Sequence, residues 1–157
     1  MLRPTVDQIV GFLQRTPVAV ALAPSELAEL VFIAQVVIAV PGQVIVRAGE
    51  PGDAWFVVME GTVRVHRDGA LLATLHPRDC FGELAVLDGE PRVASVTAET
   101  PATLIRVPRV EFEALLSSGS LAAHRLVLGL TRIVTRRLRG LLAELPAEAD
   151  YEAVNRP

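Results

Sequence analysis

Residues 81–97 read FGELAVLDGEPRVASVT, and this segment decides how the rest of the chain is interpreted. Residues 83–87 are good or tolerable helix formers that lie between Gly82 and Gly89, and the second glycine suits a left-handed helix cap. After Arg92, an alternating pattern predicts that the chain returns to a strand. The segment is therefore predicted to form a strand, a glycine, one short helix, a glycine cap and a second strand.

The predicted short helix favours the binding of an anion. The first turn of a helix leaves backbone N–H groups unpaired and carries partial positive charge, and Gly82 lets the backbone come close to a ligand. The planar side chain of Arg92 suits two phosphate oxygens. Glu83 is a carboxylate beside an anion site, so it needs its own hydrogen-bond donor, which a sugar hydroxyl would supply. These residues indicate a ligand that offers both a ribose and a phosphate.

The same segment resembles the phosphate-binding cassette of cyclic-nucleotide-binding domains, in particular the cassettes of cyclic-AMP-dependent protein kinase regulatory subunits. The resemblance lies in residues 81–85 (FGELA), in residues 91–96 (PRVASV), and in the spacing from Glu83 to Arg92. It implies that Glu83 binds the ribose 2′-hydroxyl and that Arg92 binds the exocyclic oxygens of the cyclic phosphate. It also implies that the backbone N–H groups of Gly82, Ala85 and Val93 complete the phosphate site. The implied ligand-binding positions are Gly82, Glu83, Leu84, Ala85, Arg92 and Val93.

The resemblance leaves alternatives for the ligand. In family members that favour cyclic GMP, a Ser or Thr commonly follows the cassette arginine, whereas this chain has Val93, so cyclic AMP is the expected ligand. Ser95 shares the strand face of Val93, and Ser95 or Thr97 is the residue to consider if cyclic GMP is preferred. The other alternative is a domain that has lost its ligand, with Glu83 and Arg92 paired to each other. No cofactor is expected.

Short apolar stretches between residues 36 and 75 are interrupted every eight or so residues by Gly, Pro or Asp, a rhythm typical of an antiparallel sandwich or barrel. The family resemblance extends over this region and implies a jelly roll. The predicted fold is mainly β: an antiparallel β jelly roll (double-stranded β-helix) with N-terminal helices and C-terminal B and C helices. A single domain over residues 1–157 is expected, with its parts in residues 5–34 (helices), 36–107 (jelly roll, with the cassette in 81–96), 108–145 (C-terminal helices) and 146–157 (a loose tail).

Helices are predicted at both ends of the sandwich. At the N-terminal end, apolar stripes predict packing helices over residues 6–16 and 26–32, the second capped by Ser25. At the C-terminal end, a short helix over residues 109–116 is followed by Ser117-Ser118-Gly119 and a long helix from Ser120 to about Leu145. Because glycine and serine are weak helix formers, the break is predicted to be a hinge. By resemblance, the long helix closes over the nucleotide as a lid.

The long helix, residues 120–145, carries two apolar stripes and a basic cluster. One stripe is predicted to pair with a partner helix, which gives a homodimer, although a helix buried on its own domain fits the pattern equally well. The other stripe is predicted to cover the sandwich. The first stripe comprises His124, Val127, Thr131, Val134, Leu138, Leu141 and Leu145, and the second comprises Leu121, Leu128 and Leu142 with Leu130 and Ile133. The basic cluster, Arg132, Arg136, Arg137 and Arg139, is predicted to be a solvated face, and the candidates to cover the base are Leu130, Val134, Arg136 and Arg137.

Composition limits the class of protein. The chain has 157 residues, of which 51% are hydrophobic, and this length suits one domain with a core. A net charge of -3 argues against non-specific nucleic-acid binding, and an all-arginine set of 15 basic residues fits a GC-rich bacterial genome. The single cysteine, Cys80, excludes an internal disulfide and fits a reducing cytoplasm. There is no secretory signal, and residues 30–40, the most apolar run, are shorter than the about 20 residues that span a bilayer. A cytoplasmic protein that does not enter a membrane is predicted.

Enzyme chemistry is not expected. The histidines, His66, His76 and His124, lie far apart in sequence, so a metal site is not predicted, and catalytic motifs of the GxSxG and HExxH types are missing. Asp53 and Glu60 are interpreted as turn residues. The chain is therefore predicted to be a cyclic AMP sensor that signals by repositioning its C-terminal helix, and the alternatives are a cyclic-GMP-preferring sensor or a ligand-free dimerisation or docking domain. The chain ends too soon for a helix-turn-helix, so DNA binding is not expected, and the downstream protein partner is not identified.

Overall fold

The computed structural model describes residues 2–145, in which two four-stranded β-sheets are flanked by helices. The helices are α1 (Val6–Leu13), α2 (Pro24–Ile33), α3 (Glu83–Asp88), α4 (Arg109–Ser117) and α5 (Leu121–Ala143). The strands are β1 (Gln35–Ala39), β2 (Val44–Val46), β3 (Ala54–Glu60), β4 (Val63–Arg67), β5 (Ala70–Leu75), β6 (Cys80–Phe81), β7 (Ser95–Ala98) and β8 (Ala102–Pro108). The predicted loose tail, residues 146–157, lies outside the described residues.

Both sheets are antiparallel throughout the described part of the chain. The first has the strand order β1-β8-β3-β6 and the second has the order β2-β7-β4-β5. Neighbouring strands are therefore mostly distant in sequence, as in a sandwich whose strands cross from one sheet to the other. This arrangement confirms the predicted fold, a mainly β jelly roll with N-terminal helices and two C-terminal helices.

Strand β3 lies at the centre of the molecule because both of its faces are buried. Trp55 and Val57 belong to the hydrophobic cluster that the helices cover, and Phe56 and Val58 belong to the cluster between the two sheets. Successive side chains of a strand point to opposite faces, so a strand buried on both sides reads as a continuous apolar run. The run over residues 54–58 is such a strand, and it is buried at every position.

The second N-terminal helix begins earlier than predicted. Helix α2 starts at Pro24, and its N-cap is Ala23 rather than Ser25. Proline suits a first helical position because its missing N–H would be unpaired there. The Glu26 carboxylate accepts a hydrogen bond from the Ala23 backbone N–H at 3.1 Å. The predicted Ser25 cap is therefore wrong, because proline and glutamate together specify a cap and a helix start that lie two residues earlier.

Helix α5 packs on the domain with a face that includes only Leu130 and Ile133 of the stripe predicted to cover the sandwich. Its first half buries Ala122, Ala123, Leu126 and Leu130 against the helix-covered cluster. The predicted covering stripe is wrong in its main members, because Leu121, Leu128 and Leu142 are 59%, 57% and 56% exposed. The contact face combines Leu126 and Leu130 with the small residues Ala122, Ala123 and Gly129, and the small residues let two backbones approach closely. At Gly129 an added Cβ would lie 2.2 Å from the Val18 carbonyl oxygen.

The predicted hinge between α4 and α5 is present as a break but is anchored on both sides. Gly119 has a φ of 80°, and Ser120 caps α5 through a 3.2 Å hydrogen bond from the Ala123 N–H. Arg125 then forms a 2.6 Å ion pair with Glu26 of α2. Because the first half of α5 is packed and ion-paired to the N-terminal helices, the break joins two fixed helices in this conformation.

Candidate functional site

A cavity of about 240 Å³ lies between the cassette and the second sheet. Its wall is mostly apolar, and all six residues that the sequence predicted to bind ligand line it. Three charged side chains line it: Glu83 and Arg92 of the cassette and Arg137 of α5. The lining residues are Val46, Val65, Ala73, Leu75, Phe81, Gly82, Glu83, Leu84, Ala85, Arg92, Val93, Ala94, Val96 and Arg137.

Arg92 is a buried cation, 6% exposed, whose side chain is held at one end of the cavity. Its Nη1 donates to the Gly82 carbonyl oxygen at 3.0 Å, and its Nη2 donates to the Ala54 carbonyl oxygen at 2.7 Å and to Asp53 Oδ1 at 3.3 Å. Burial lowers the pKa of Arg92, and the nearby Asp53 carboxylate opposes that shift. A guanidinium has five N–H donors, so the Nε–H and one Nη1–H have no partner among residues 2–145.

The turn over residues 49–53 positions Arg92 through both backbone and side chain. The Gly49 N–H donates to the Arg92 carbonyl oxygen at 2.8 Å, and the Arg92 N–H donates to the Glu50 carbonyl oxygen at 2.9 Å. Asp53 bridges Arg92 to Arg106, whose Nη2 lies 2.9 Å from Asp53 Oδ2. Sequence reasoning treated Asp53 as a turn residue and missed this role. Its partner Arg92 is 39 positions away, and no local pattern distinguishes it from an ordinary turn aspartate.

Gly82 is required at the start of the cassette by two independent constraints. Its φ is 80°, in the left-handed region that favours glycine. An added Cβ would also lie 2.5 Å from Arg92 Nη1. Helix α3 follows, with no side chain capping its N-terminus and with Gly89 as the predicted left-handed cap at a φ of 74°. The local order of strand, glycine, short helix and glycine is therefore confirmed.

Glu83 is buried, with its side chain 4% exposed, and its partner is not Arg92. Glu83 Oε1 accepts a short hydrogen bond from Arg137 Nη1. Arg137 Nη2 donates to the carbonyl oxygen of Cys80 at 2.6 Å. The interpretation in which Glu83 and Arg92 pair with each other is therefore wrong for this conformation, because each has a different charged partner.

Arg137 was assigned to the solvated basic face, and its side chain is 43% exposed, but it also reaches the cavity and pairs with the buried Glu83. Among the four residues suggested to cover a base, only Arg137 lines the cavity. Leu130 is fully buried in the cluster beneath the N-terminal helices, and Arg136 is exposed. The sequence named Arg137 as a candidate but did not distinguish it from the neighbouring arginines of α5. Which of these side chains points toward the cavity depends on how the helix packs.

Cys80 lies next to this site but is not a reactive thiol. Burial raises the pKa of Cys80 to about 12, and the negative charge of Glu83 adds to the shift. The thiol therefore stays protonated near neutral pH, whereas the nucleophile would be the thiolate. No group of three or more His, Cys, Asp or Glu side chains within residues 2–145 is arranged to hold a metal ion. In the same range, no helix combines the length and apolarity needed to cross a membrane.

Comparison with known proteins gives one matching family model, the cyclic nucleotide-binding domain, over residues 37–118. A cyclic nucleotide-gated potassium channel of Mesorhizobium japonicum is 39% identical over 103 residues, which are 66% of this chain and 28% of the channel. A cAMP-dependent protein kinase regulatory subunit of Eremothecium gossypii is 39% identical over 79 residues, which are 50% of this chain and 17% of that subunit.

Among solved structures, the Thermus thermophilus catabolite activator protein matches with a TM-score of 0.70 at 31% identity, over 82% of this chain and 61% of that chain. The matched part is thus less than two thirds of each of these three relatives. The family model's range, residues 37–118, contains the cassette and nearly all of both sheets, so the match includes most of the cavity lining.

Proposed function

Because the chain belongs to the cyclic nucleotide-binding domain family, we propose that the cavity beside the cassette binds cyclic AMP and that the domain is a regulatory sensor rather than an enzyme. In this proposal Arg92 binds the exocyclic phosphate oxygens and Glu83 accepts the ribose 2′-hydroxyl. Backbone N–H groups of the cassette complete the phosphate site. The ligand-binding residues are Gly82, Glu83, Leu84, Ala85, Arg92 and Val93, all of which line the cavity.

The proposal rests mainly on one observation, that Arg92 is buried and has N–H groups without a hydrogen-bond partner among the described residues. Arg92 is a cation with a 6% exposed surface that faces an apolar-walled cavity, and the Nε–H and one Nη1–H have no partner among the described residues. A buried charge needs pairing and hydrogen bonds, and the one carboxylate paired with Arg92 among the described residues, Asp53, is 71% exposed, lies 3.3 Å away and is shared with Arg106. A cyclic phosphate carries one negative charge and two exocyclic oxygens, so it matches both the charge and the number of free donors.

The preference for adenine over guanine is inferred from the side chains that line the cavity. Val46, Val65 and Leu75 offer apolar surface that suits the face of a purine. Val93 has no hydroxyl for a guanine amino group, and the Ser95 hydroxyl accepts a 2.9 Å hydrogen bond from the Ala48 N–H and does not line the cavity. These features favour adenine.

Titration of the nucleotide-free full chain by calorimetry tests the function. We expect cyclic AMP to bind at least as tightly as cyclic GMP, because none of the described residues that line the cavity has a side-chain hydroxyl to bind the guanine amino group. The matched control is 5′-AMP, which has the same base and ribose but an open phosphate. A clear preference for cyclic GMP would overturn the choice of nucleotide, and a chain that binds neither cyclic nucleotide would overturn the proposed function itself.

We also propose that the exposed apolar stripe of α5 mediates a homodimer, as a route by which a sensor could transmit its state. Leu138, Leu141 and Leu145 are 53%, 63% and 55% exposed and recur in steps of three and four. In a parallel pair of helices these leucines would be buried against their counterparts. Sedimentation equilibrium should show a dimer for the full chain and a monomer for the Leu138→Glu, Leu141→Glu double variant. A monomer at every concentration of the unsubstituted chain would exclude this arrangement.

A further inference from the structure

A second cavity, the α1 groove, lies between α1 and one end of the first sheet and has a volume of about 680 Å³. It is larger than the cavity beside the cassette, which is about 240 Å³, and the two share no lining residue. Small-molecule sites in proteins are commonly clefts of about 300 to 1,000 Å³ with a mostly apolar lining and a few polar groups. The lining residues that decide the chemistry of the α1 groove are Arg3, Gly11, Phe12, Arg15, Met59 and Glu60.

The floor of the α1 groove is apolar. Phe12 of α1 belongs to the helix-covered cluster, Met59 of β3 packs against that cluster, and both side chains line the groove. The pairing of β3 with β8 shifts between Val58 and Glu60, so the ladder is irregular at Met59, as in a β-bulge. Bulges redirect side chains and are common beside functional sites, and a methionine side chain adapts to surfaces of different shape. The floor therefore offers adaptable apolar surface to the body of a ligand.

Gly11 keeps the α1 groove open. It lies inside α1, where glycine is a poor helix former. An added Cβ at Gly11 would meet no heavy atom within 4 Å, so no close packing requires glycine there. Because Gly11 lines the groove, a larger side chain at this position would extend into it. The glycine thus preserves the volume of the groove although it weakens the helix.

Two arginines give the α1 groove a positive charge. Arg3 and Arg15 are exposed residues of the lining, and neither forms an ion pair among residues 2–145. Glu60 is the one acidic residue among the described lining residues, and its Oε2 accepts a 3.3 Å hydrogen bond from Thr103 Oγ1. Two arginines and one carboxylate leave the lining with a net charge of +1, in a chain whose net charge is -3. A ligand with one negative charge would be complementary.

We propose that the α1 groove is a second binding site, which takes a small apolar molecule with one negative charge, such as an alkyl or aryl carboxylate. The apolar body of the ligand lies on Phe12 and Met59, and its anionic group binds Arg3 or Arg15. The site is independent of the proposed nucleotide site, because the two cavities share no residue.

Two fluorescent probes that differ only in charge test the site in the full chain. Anilinonaphthalene sulfonate carries one negative charge, and N-phenylnaphthylamine is the same ring system without the sulfonate. We expect the sulfonate to bind more tightly by about threefold to tenfold, as for one or two partly exposed ion pairs. Gly11→Leu should remove one binding site for both probes without unfolding the chain, because its Cβ displaces no neighbour. Gly140→Leu, whose Cβ also meets nothing within 4 Å, is the matched control and should keep that site.

Paired substitutions test the charge of the ligand. The double variant Arg3→Gln, Arg15→Gln should bind the two probes about equally, because the groove then has no cation in its lining. The double variant Arg132→Gln, Arg136→Gln removes the same charge from exposed positions on α5 and should keep the preference for the sulfonate. Saturating cyclic AMP should leave the groove-bound probe in place, since the nucleotide cavity is separate.

Each contrary outcome has a defined meaning. The proposal is overturned if the unsubstituted chain binds neither probe, or if Gly11→Leu binds both with unchanged stoichiometry and affinity, because the probes then lie elsewhere. A sulfonate preference that survives loss of both groove arginines overturns the assignment of an anionic ligand. A chain that does not bind cyclic AMP fails the proposed function alone, since the Gly11 comparison assigns the probes without the nucleotide. Melting followed by circular dichroism establishes that each variant is folded, and Gly11→Gln provides the comparison if Gly11→Leu is not.

Discussion

Replacing Arg92 with alanine is expected to weaken cyclic AMP binding by about 2 to 5 kcal/mol, the cost of removing one partner from a buried, hydrogen-bonded charge pair. The expectation follows from the side chain's 6% exposure and from its N–H groups beside the cavity. An exposed arginine would contribute much less binding free energy, because water would replace its hydrogen bonds to the ligand. Calorimetry on the folded variant measures the change directly, and unchanged affinity would contradict the assignment of Arg92 to the phosphate.

The Arg92 substitution needs controls for folding, because this side chain also supports the cassette. Its loss leaves the carbonyl oxygens of Gly82 and Ala54 without their donor, so stability should fall by about 1 to 3 kcal/mol. Arg92→Lys keeps the charge but loses the geometry of the planar fork, and it should bind more weakly than the unsubstituted chain. Arg106→Gln is the matched control, since Arg106 shares Asp53 but does not line the cavity. It should leave affinity nearly unchanged.

The parts of this fold that the sequence predicts are those whose signals are local. The cassette is encoded within residues 81–97 by two glycines that the backbone requires in the left-handed region, at Gly82 and Gly89. The strands are encoded by short apolar runs between turns, and the two-sided burial of β3 by its uninterrupted apolar run. Each signal depends on residues a few positions apart, so it can be read without knowledge of the tertiary structure.

The parts that the sequence does not predict depend on contacts between distant segments. Asp53 reaches Arg92 and Arg106 across 39 and 53 positions, and Arg137 reaches Glu83 across 54. The face that α5 turns to the domain was also largely missed, because alanines and Gly129 contribute to the contact beside Leu126 and Leu130 while several other leucines stay exposed. Hydrophobicity ranks leucine above alanine, but close approach of two backbones favours the smaller side chain. The charged residues Glu83 and Arg92 could be named from sequence, whereas the side chains that hold them could not.

The packing of α5 changes what truncation of the chain should do. From the sequence, the break at Ser117-Ser118-Gly119 predicted that a chain ending at Gly119 stays folded and binds nucleotide more weakly. The structure places Leu126 and Leu130 in the core at 0% exposure, together with two alanines. Loss of a buried leucine costs about 2 to 5 kcal/mol, and a whole domain is stable by only about 5 to 15 kcal/mol. A chain ending at Gly119 is therefore expected to be largely unfolded.

A chain ending at Leu130 should behave differently, because it keeps the anchored half of α5 and loses only the half that Arg137 attaches. We expect it to fold, with weaker cyclic AMP binding than the full chain. Denaturant unfolding followed by circular dichroism distinguishes the two truncations. A chain ending at Gly119 that unfolds at the same denaturant concentration as the full chain would show that the α5 contacts contribute little to stability, and the hinge predicted at Ser117-Ser118-Gly119 would then be supported.

Two glycine substitutions on α5 test the same anchoring in the full chain. In Gly129→Ala the new Cβ would lie 2.2 Å from the Val18 carbonyl oxygen, so the helix must move away from the N-terminal segment. A cost of about 1 to 3 kcal/mol is expected, as for other overpacked contacts. In Gly140→Ala the new Cβ meets nothing within 4 Å, and the gain in helix propensity should stabilise the chain by roughly 0.5 to 1 kcal/mol. Equal unfolding free energies for the two variants would mean that α5 is not held against Val18, because only the Gly129 substitution disturbs that contact.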